Sequence, residues 1–170
     1  GLLKMLDMSG SSDFQKNFEE LNIIPMSISY EYEPCDILKA REVVISRKRK
    51  YVKAEGEDLN SIIVGIKQTK GNVHLNIGAP LTSEEISLAA QCDKNDRYQL
   101  IRHAVDRRVV DGYRLWKNNY IAYDRLNHSY KYSHMYEPAD VEAFVAYMQH
   151  QLDTVEPEIN GEDLRRIFLD

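Results

Sequence analysis

The chain has 170 residues, 43% of them hydrophobic and 29% charged, with a formal net charge of −5. That length supports a real core, burying roughly 70% of the unfolded surface, and the composition is that of an ordinary globular protein. The acidic balance argues against nucleic acid as the main partner, because phosphate contact favours net positive surfaces.

Cys35 and Cys92 lie far apart and in no metal-like spacing, which suits free thiols in a reducing compartment. No apolar run approaches the ~18 residues that a bilayer span needs. The first residues lack the basic region of a signal peptide, so a cytoplasmic location is the expectation. The chain opens without an initiator Met, inside an amphipathic pattern of Leu2, Leu3, Met5 and Leu6. The later part of a longer protein is therefore expected.

In chain order, residues 2–7 read as the last turns of a helix. Ser12 or Asp13 is placed to cap the next, which Phe14, Phe18 and Leu21 mark by their spacing. From Ile24 the side chains alternate, with Met26, Ile28, Tyr30 and Tyr32 on one side and Ser27, Ser29, Glu31 and Glu33 on the other. This period of two predicts a strand near 23–32 whose apolar side is buried. Pro25 suits a strand's start and Pro34 ends it.

Asp36 is placed to cap a helix running to about Lys48, with Ile37, Leu38, Ala40, Val44 and Ile45 as its apolar face. The β-branched Val43-Val44-Ile45 leaves a strand as the competing reading. Arg47, Lys48, Arg49 and Lys50 form the one dense basic cluster. It is either a solvated helix end or a contact for anionic lipid headgroups. Beyond Glu55-Gly-Glu-Asp58, the residues Leu59, Ile62, Ile63 and Ile66 sit at helical spacing and predict a core-facing stripe, with Gly71 as its αL cap. Residues 72–78 alternate again, Val73, Leu75 and Ile77 inward, His74 and Asn76 outward. About 40 residues of mainly helical chain between two strands favour a parallel or mixed sheet over a hairpin.

After Pro80 every predicted element is a helix. Thr82 or Ser83 with Glu84-Glu85 opens one through about Ala90. Asp93 or Asn95 opens the next, striped by Tyr98, Ile101, Val105 and Val109. Asn118 or Asn119 is placed to cap a third, holding Tyr120, Ile121, Tyr123 and Leu126. A polar loop follows over 127–136. Pro138 then suits the first turn of a helix striped by Val141, Phe144, Val145, Met148 and Leu152, and a short helix lies over 161–169. The fold class expected is α/β: a partial mixed or parallel sheet with helices, followed by an all-helical C-terminal half. Its division is a core over 1–80 and a helical extension over 81–170, folding together as one unit.

Candidate chemistry is sparse. There is no nucleophile elbow, P-loop or dinucleotide glycine fingerprint. His128 and His134, with Asp124 upstream, are loosely spaced in a tyrosine-rich loop and make a poor metal set, so no metal is expected. His74 on the second strand, and His103 at i, i+3 to Asp106, read as surface residues. Glu31 and Glu33 share a strand face without further support for a hydrolase. Spacing alone yields no catalytic residue.

The segment Leu21-Asn-Ile-Ile-Pro-Met-Ser-Ile-Ser-Tyr-Glu-Tyr-Glu-Pro-Cys-Asp36 nevertheless resembles the last conserved block of the glycerolipid acyltransferases, the glycerol-phosphate and 1-acylglycerol-3-phosphate type. In that block an apolar strand Ile-Val-Pro-Val-x-Ile follows a Pro-Glu-Gly-x-Arg motif. Leu2 to Gly10 looks like the helix just after that motif. Gly71-Asn-Val-His-Leu-Asn-Ile-Gly-Ala-Pro80 is similar to a later Gly-x-Val-x-Val-x-x-Gly-x-Pro strand. Asn118-Asn-Tyr-Ile-Ala-Tyr-Asp124 resembles a C-terminal block of a bacterial subgroup.

The resemblance implies acyl transfer from acyl-CoA or acyl carrier protein, as co-substrate, to a glycerolipid hydroxyl in phospholipid biosynthesis, without a bound cofactor. The family's base is the His of His-x-x-x-x-Asp. The fifth residue after each histidine here is Ala79, Arg108, Ser133, Ala139 or Val155, so no catalytic residue carries over, and the chain alone is expected to be inactive. What carries over is a pocket wall of Ile24, Pro25, Ser27 and Ser29. The alternative is a non-catalytic module that binds a membrane surface or a protein, with Arg47, Lys48, Arg49 and Lys50 on anionic lipid. The localisation implied is cytoplasmic, peripheral on the inner face of the cell membrane. If a neighbouring sheet is missing, Met26, Ile28 and Tyr30 lack neighbours and the strand edge can pair two copies into a homodimer.

Overall fold

The computed structural model describes all residues, Gly1–Asp170. It contains nine α-helices and two short strands: α1 Leu2–Asp7, α2 Phe14–Leu21, β1 Met26–Tyr30, α3 Asp36–Lys48, α4 Glu57–Lys67, β2 Val73–Ile77, α5 Ser83–Ala90, α6 Lys94–Gly112, α7 Lys117–Leu126, α8 Pro138–Leu152 and α9 Glu162–Leu169. The class is α/β, mostly helical, with one two-stranded sheet.

Three of the helix caps act where the sequence places them, whereas Asp36 is the first residue of α3, whose N-cap is Cys35. Asp13 accepts the Lys16 N–H at 2.8 Å, and Asp93 accepts those of Asn95 and Asp96. Thr82 and Glu85 close a reciprocal capping box, each side chain satisfying the other's backbone N–H. Pro138 stands in the first turn of α8, where no N–H is needed. Trp116, not Asn118 or Asn119, is the N-cap residue of α7, and Asn119 reaches back to accept its N–H at 2.8 Å. Gly71 lies beyond α4, whose C-cap is Gln68, and serves the entry to β2 instead. Its φ of +62° favours glycine, and the absence of a side chain leaves room for the Glu31 carboxylate.

The contacts divide the chain into two compact units, each discontinuous in sequence: Gly1–Ser29 with His74–Arg114, and Tyr30–Val73 with Leu115–Asp170. The division expected near residue 80 therefore falls inside the first unit. The first unit's core joins α2, α5 and α6 through Phe14, Phe18, Ile86, Ala89, Tyr98 and Ile101. Phe14 stacks on Phe18 at 4.4 Å between centroids and meets Tyr98 edge-on at 6.2 Å. Asn17 caps the end of α1 by donating to the carbonyls of Leu6 and Asp7, while the Asp7 carboxylate takes the Tyr98 hydroxyl and Arg97. Glu85 ties α5 to α6 through Arg108 at 2.7 Å, which holds its carboxyl below the usual range. The second unit's core joins α3, α8 and α9 through Ala40, Val44, Met148, Leu152, Val155 and Leu164.

Three expectations are corrected here. First, the strands pair antiparallel rather than parallel. Within the first unit the Gly78 N–H donates to the Pro25 carbonyl at 2.9 Å, which sets Met26 opposite Ile77 and Ile28 opposite Leu75. A long connection permits a parallel pair but does not demand one, since antiparallel strands accept any connection length. Second, the sheet is turned over. Ser27 and Ser29 are buried, whereas Met26 is 54% exposed and Ile28, Leu75 and Ile77 are exposed with it. Small side chains on the serine face allow close approach: the Arg114 N–H donates to Ser29 Oγ at 2.9 Å, and Gly112 lies against Asn76 with no room for a Cβ. Third, the α4 stripe faces solvent, and no residue of α4 is fully buried.

Phe18 is fully covered in the first core. Phe18→Ala is expected to lower stability by about 3–5 kcal/mol in urea unfolding. Hydrogen exchange should rise across α2, α5 and α6 well before α8 and α9; uniform acceleration would mean that the two cores unfold as one.

Candidate functional site

The four residues expected to wall a pocket all fall on or just before β1, but not on one surface. Ile24 is exposed, Pro25, Ser27 and Ser29 are buried, and none of the four lines a cavity described below. Ser29 is occupied by Arg114, and Ser27 Oγ has no hydrogen-bond partner. What β1 presents outward is instead apolar: Ile24, Met26 and Ile28, extended by Leu75 and Ile77 from β2. With side chains in directly opposed pairs, this is a continuous hydrocarbon surface of two strands' width.

The remaining chemistry lies in the second unit. A cavity of about 490 Å³ opens between Tyr32, Asp36, Val43, Asn118, Tyr147 and Phe168. Asp36 begins α3 and bonds its own helix start, accepting the Ile37 N–H at 2.6 Å. Its other oxygen accepts the Tyr147 hydroxyl at 2.6 Å, and Gln151, one turn further along α8, donates to that hydroxyl at 2.9 Å. Burial pushes the Asp36 carboxyl up, with the Tyr147 hydrogen bond opposing that rise. Burial, and donation to Asp36, push the Tyr147 hydroxyl well above its ordinary range. The one spacing signal for this cluster was a Gln interrupting the apolar stripe of α8. Nothing in the sequence linked it to Asp36, more than a hundred residues away.

A larger cavity, about 890 Å³, is bordered by Asp124, Arg125, His128, Tyr136, Glu162 and Arg166. Asp124 is buried and accepts from Ser129 Oγ at 2.6 Å, the Tyr132 N–H at 2.9 Å and Tyr136 Oη at 2.8 Å. Burial alone would raise this carboxyl, and those hydrogen bonds bring it below its ordinary value. Asp124 thus organises the 127–136 loop. His128 and His134 form no ligand set with it, and no group of three or more His, Cys, Asp or Glu is placed to hold a metal ion.

The other acid/base candidates are engaged or exposed. Glu31 accepts the Asn72 backbone and side-chain N–H groups at 2.9 and 2.8 Å, and Glu33 pairs with Lys39 at 3.0 Å. They do not face one another as acid and base. His103 is exposed, and Asp106 pairs with Arg102. Of the basic cluster, Arg47 and Lys48 end α3 and Arg49 is its C-cap. Cations there complement the helix dipole. All four residues from Arg47 to Lys50 are exposed and none has an acidic partner within 4.0 Å.

Two carboxylates of the second unit act oppositely on stability. Arg41 holds Glu156 bidentately at 2.9 and 2.7 Å and lowers its carboxyl to about 2. That contribution is complete above the unfolded carboxylate range and is lost as pH falls through about 2. Asp36 is raised, so its contribution is greatest below about pH 4, the unfolded value, and disappears as pH rises through the folded one. Asp36→Asn is expected to flatten the rise and fall of stability with pH above about pH 4, the unfolded carboxylate value, read by denaturant midpoints from there upward. A curve as steep as the parent's would mean that Asp36 is not the group whose proton is linked to folding.

No protein-family model matches this chain, and no curated protein or solved structure matches it.

Proposed function

We propose that the chain is the non-catalytic C-terminal portion of a glycerolipid acyltransferase, which moves an acyl chain from acyl-CoA or acyl carrier protein to a glycerolipid hydroxyl. The observation that carries this reading is the outward apolar face of β1 and β2. It lies on the two segments that resemble family strands, Leu21 to Asp36 and Gly71 to Pro80, and hydrocarbon is the ligand such a face suits. In this reading the wall beside the acyl chains is Ile24, Met26 and Ile28, with Leu75 and Ile77. Pro25, Ser27 and Ser29 hold the wall's shape from behind. The antiparallel pair then belongs to a larger mixed sheet, whose further strands take up the free edges of β1 and β2.

The sequence contains no His-x-x-x-x-Asp. Without a base at the acceptor hydroxyl, about 10²–10⁴-fold of general-base assistance is missing, so acyl transfer requires the residues that supply it. No helix is long and apolar enough to cross a membrane. The enzyme of this proposal sits peripherally on the inner face of the cell membrane, where its acceptor lipid is. A second reading, a membrane-surface module without catalysis, draws on the unpaired cations Arg47 to Lys50.

Incubation of this chain with acyl-CoA and lysophosphatidic acid should give no turnover above background; clear turnover would overturn the assignment of a non-catalytic portion. In a longer gene product carrying His-x-x-x-x-Asp upstream, turnover should appear. There Ile28→Asp should lower kcat/KM about tenfold or more, equivalent to about 1.4 kcal/mol. An unaffected kcat/KM would remove the strand from the acyl site.

A further inference from the structure

The apolar residues of α4 point the wrong way for a core helix. Glu57, Ser61, Val64 and Gly65 are its partly covered residues. Gly65 lies against Cys35, and the Cys35 thiol donates to the Ser61 carbonyl at 3.5 Å. The 3.6-residue period then sends Leu59, Ile62, Ile63 and Ile66 to the far side. They are 61, 59, 40 and 73% exposed, and Val52 in the preceding loop is 77% exposed. Isolated apolar residues at a surface are ordinary; a contiguous stripe of four on one helix face is not.

The charge around this stripe is predominantly basic. From Arg47 to Lys53 there are five cations and no acid, and Lys67 and Lys70 follow at the other end of α4. Arg49, Lys50 and Val52 share a 340 Å³ hollow with Glu57 of the first helical turn. Of the acids there, Glu57 takes the Tyr51 hydroxyl and the Ala54 N–H and Asp58 takes Lys53 at 2.5 Å, which leaves Glu55 as the one exposed acid beside the cations. The helix therefore offers aliphatic side chains between unpaired or terminal cations. At 11 residues it is about 16 Å long, too short to span hydrocarbon but suited to lying in the headgroup plane.

We infer that α4 is a docking helix for an anionic phospholipid bilayer, with Leu59, Ile62, Ile63 and Ile66 entering the acyl boundary and Arg47, Lys48, Arg49 and Lys50 meeting the headgroups. A second copy is the poorer occupant. Stacking two such stripes about a twofold axis brings basic flanks against basic flanks, whereas an anionic surface neutralises both ends at once. The inference deepens the peripheral location proposed above and is independent of acyl transfer. Vesicle binding can fail while the longer enzyme still acylates a soluble acceptor, and binding can succeed in a chain that never catalyses.

The test is co-sedimentation of the full chain with phosphatidylcholine vesicles and with vesicles of phosphatidylcholine and phosphatidylglycerol in equal parts. Binding is expected only to the second, weakening as salt rises. The double substitution Ile62→Asp with Ile66→Asp, at exposed positions where circular dichroism should stay that of the parent, should cut the partition coefficient about tenfold or more. Arg49→Glu with Lys50→Glu should do the same, and Val110→Asp, at an exposed position of α6, should leave it unchanged. Equal recovery of parent and Ile62→Asp/Ile66→Asp chains in the pellet overturns the role of α4. So does a parent that stays in the supernatant with both vesicles. A parent dimer in sedimentation velocity, dissolved by Ile62→Asp/Ile66→Asp without any vesicle binding, would assign the stripe to self-association instead.

Discussion

Strand β1 can set only one of its two faces against the body of the first unit, and the face it sets there is the serine one. From that constraint follows much of the unit's surface. Ser29 is buried because its hydroxyl meets the Arg114 N–H, giving a backbone donor at the end of α6 the partner it needs away from water. Gly112 closes on Asn76 because the facing side chains are short and polar. The period of two then leaves Met26 and Ile28 no inward option, and Ile77 and Leu75 opposite them go the same way. A two-stranded sheet is marginal by itself. This one is held by what lies beneath it, at the cost of an uncovered hydrocarbon face.

The second unit repeats the inversion by a different device. Its core is built by α3, α8 and α9, while α4 rests on Cys35 through a serine and a glycine. Contact through small residues brings a helix close, but it buries little apolar area. The carboxylates of this unit are mostly committed to structure: Asp36 to Tyr147 and Ile37, Asp124 to its loop, Glu156 to Arg41. A chain that is net acidic can therefore still carry an unpaired basic end on α3.

Two outward apolar surfaces of different character result. The one on β1 and β2 is flat, has free backbone edges and carries no adjoining cation cluster, which suits further strands or acyl chains. The one on α4 is a convex stripe between cations, which suits a charged interface. The proposed acyltransferase reading assigns the first to acyl chains, and electrostatics carries the proposal for the second.

What the sequence determined by itself was local. The caps at Asp13, Thr82 with Glu85, and Asp93, the proline start of α8, the two strand positions and the run of helices after Pro80 were legible, because capping and periodicity act within a few residues. The stripe of Tyr98 and Ile101 on α6 was read correctly, since both are buried in the first core. What only the tertiary structure decided was sidedness and partnership. Alternation in β1 and the heptad-like spacing in α4 state that one face is apolar, but they do not state that the same chain supplies its cover; here it does not. The antiparallel pairing, the two discontinuous units and the Asp36–Tyr147–Gln151 cluster depend on residues separated by tens to more than a hundred positions. No local propensity couples such residues, and only the folded backbone brings them within hydrogen-bond reach.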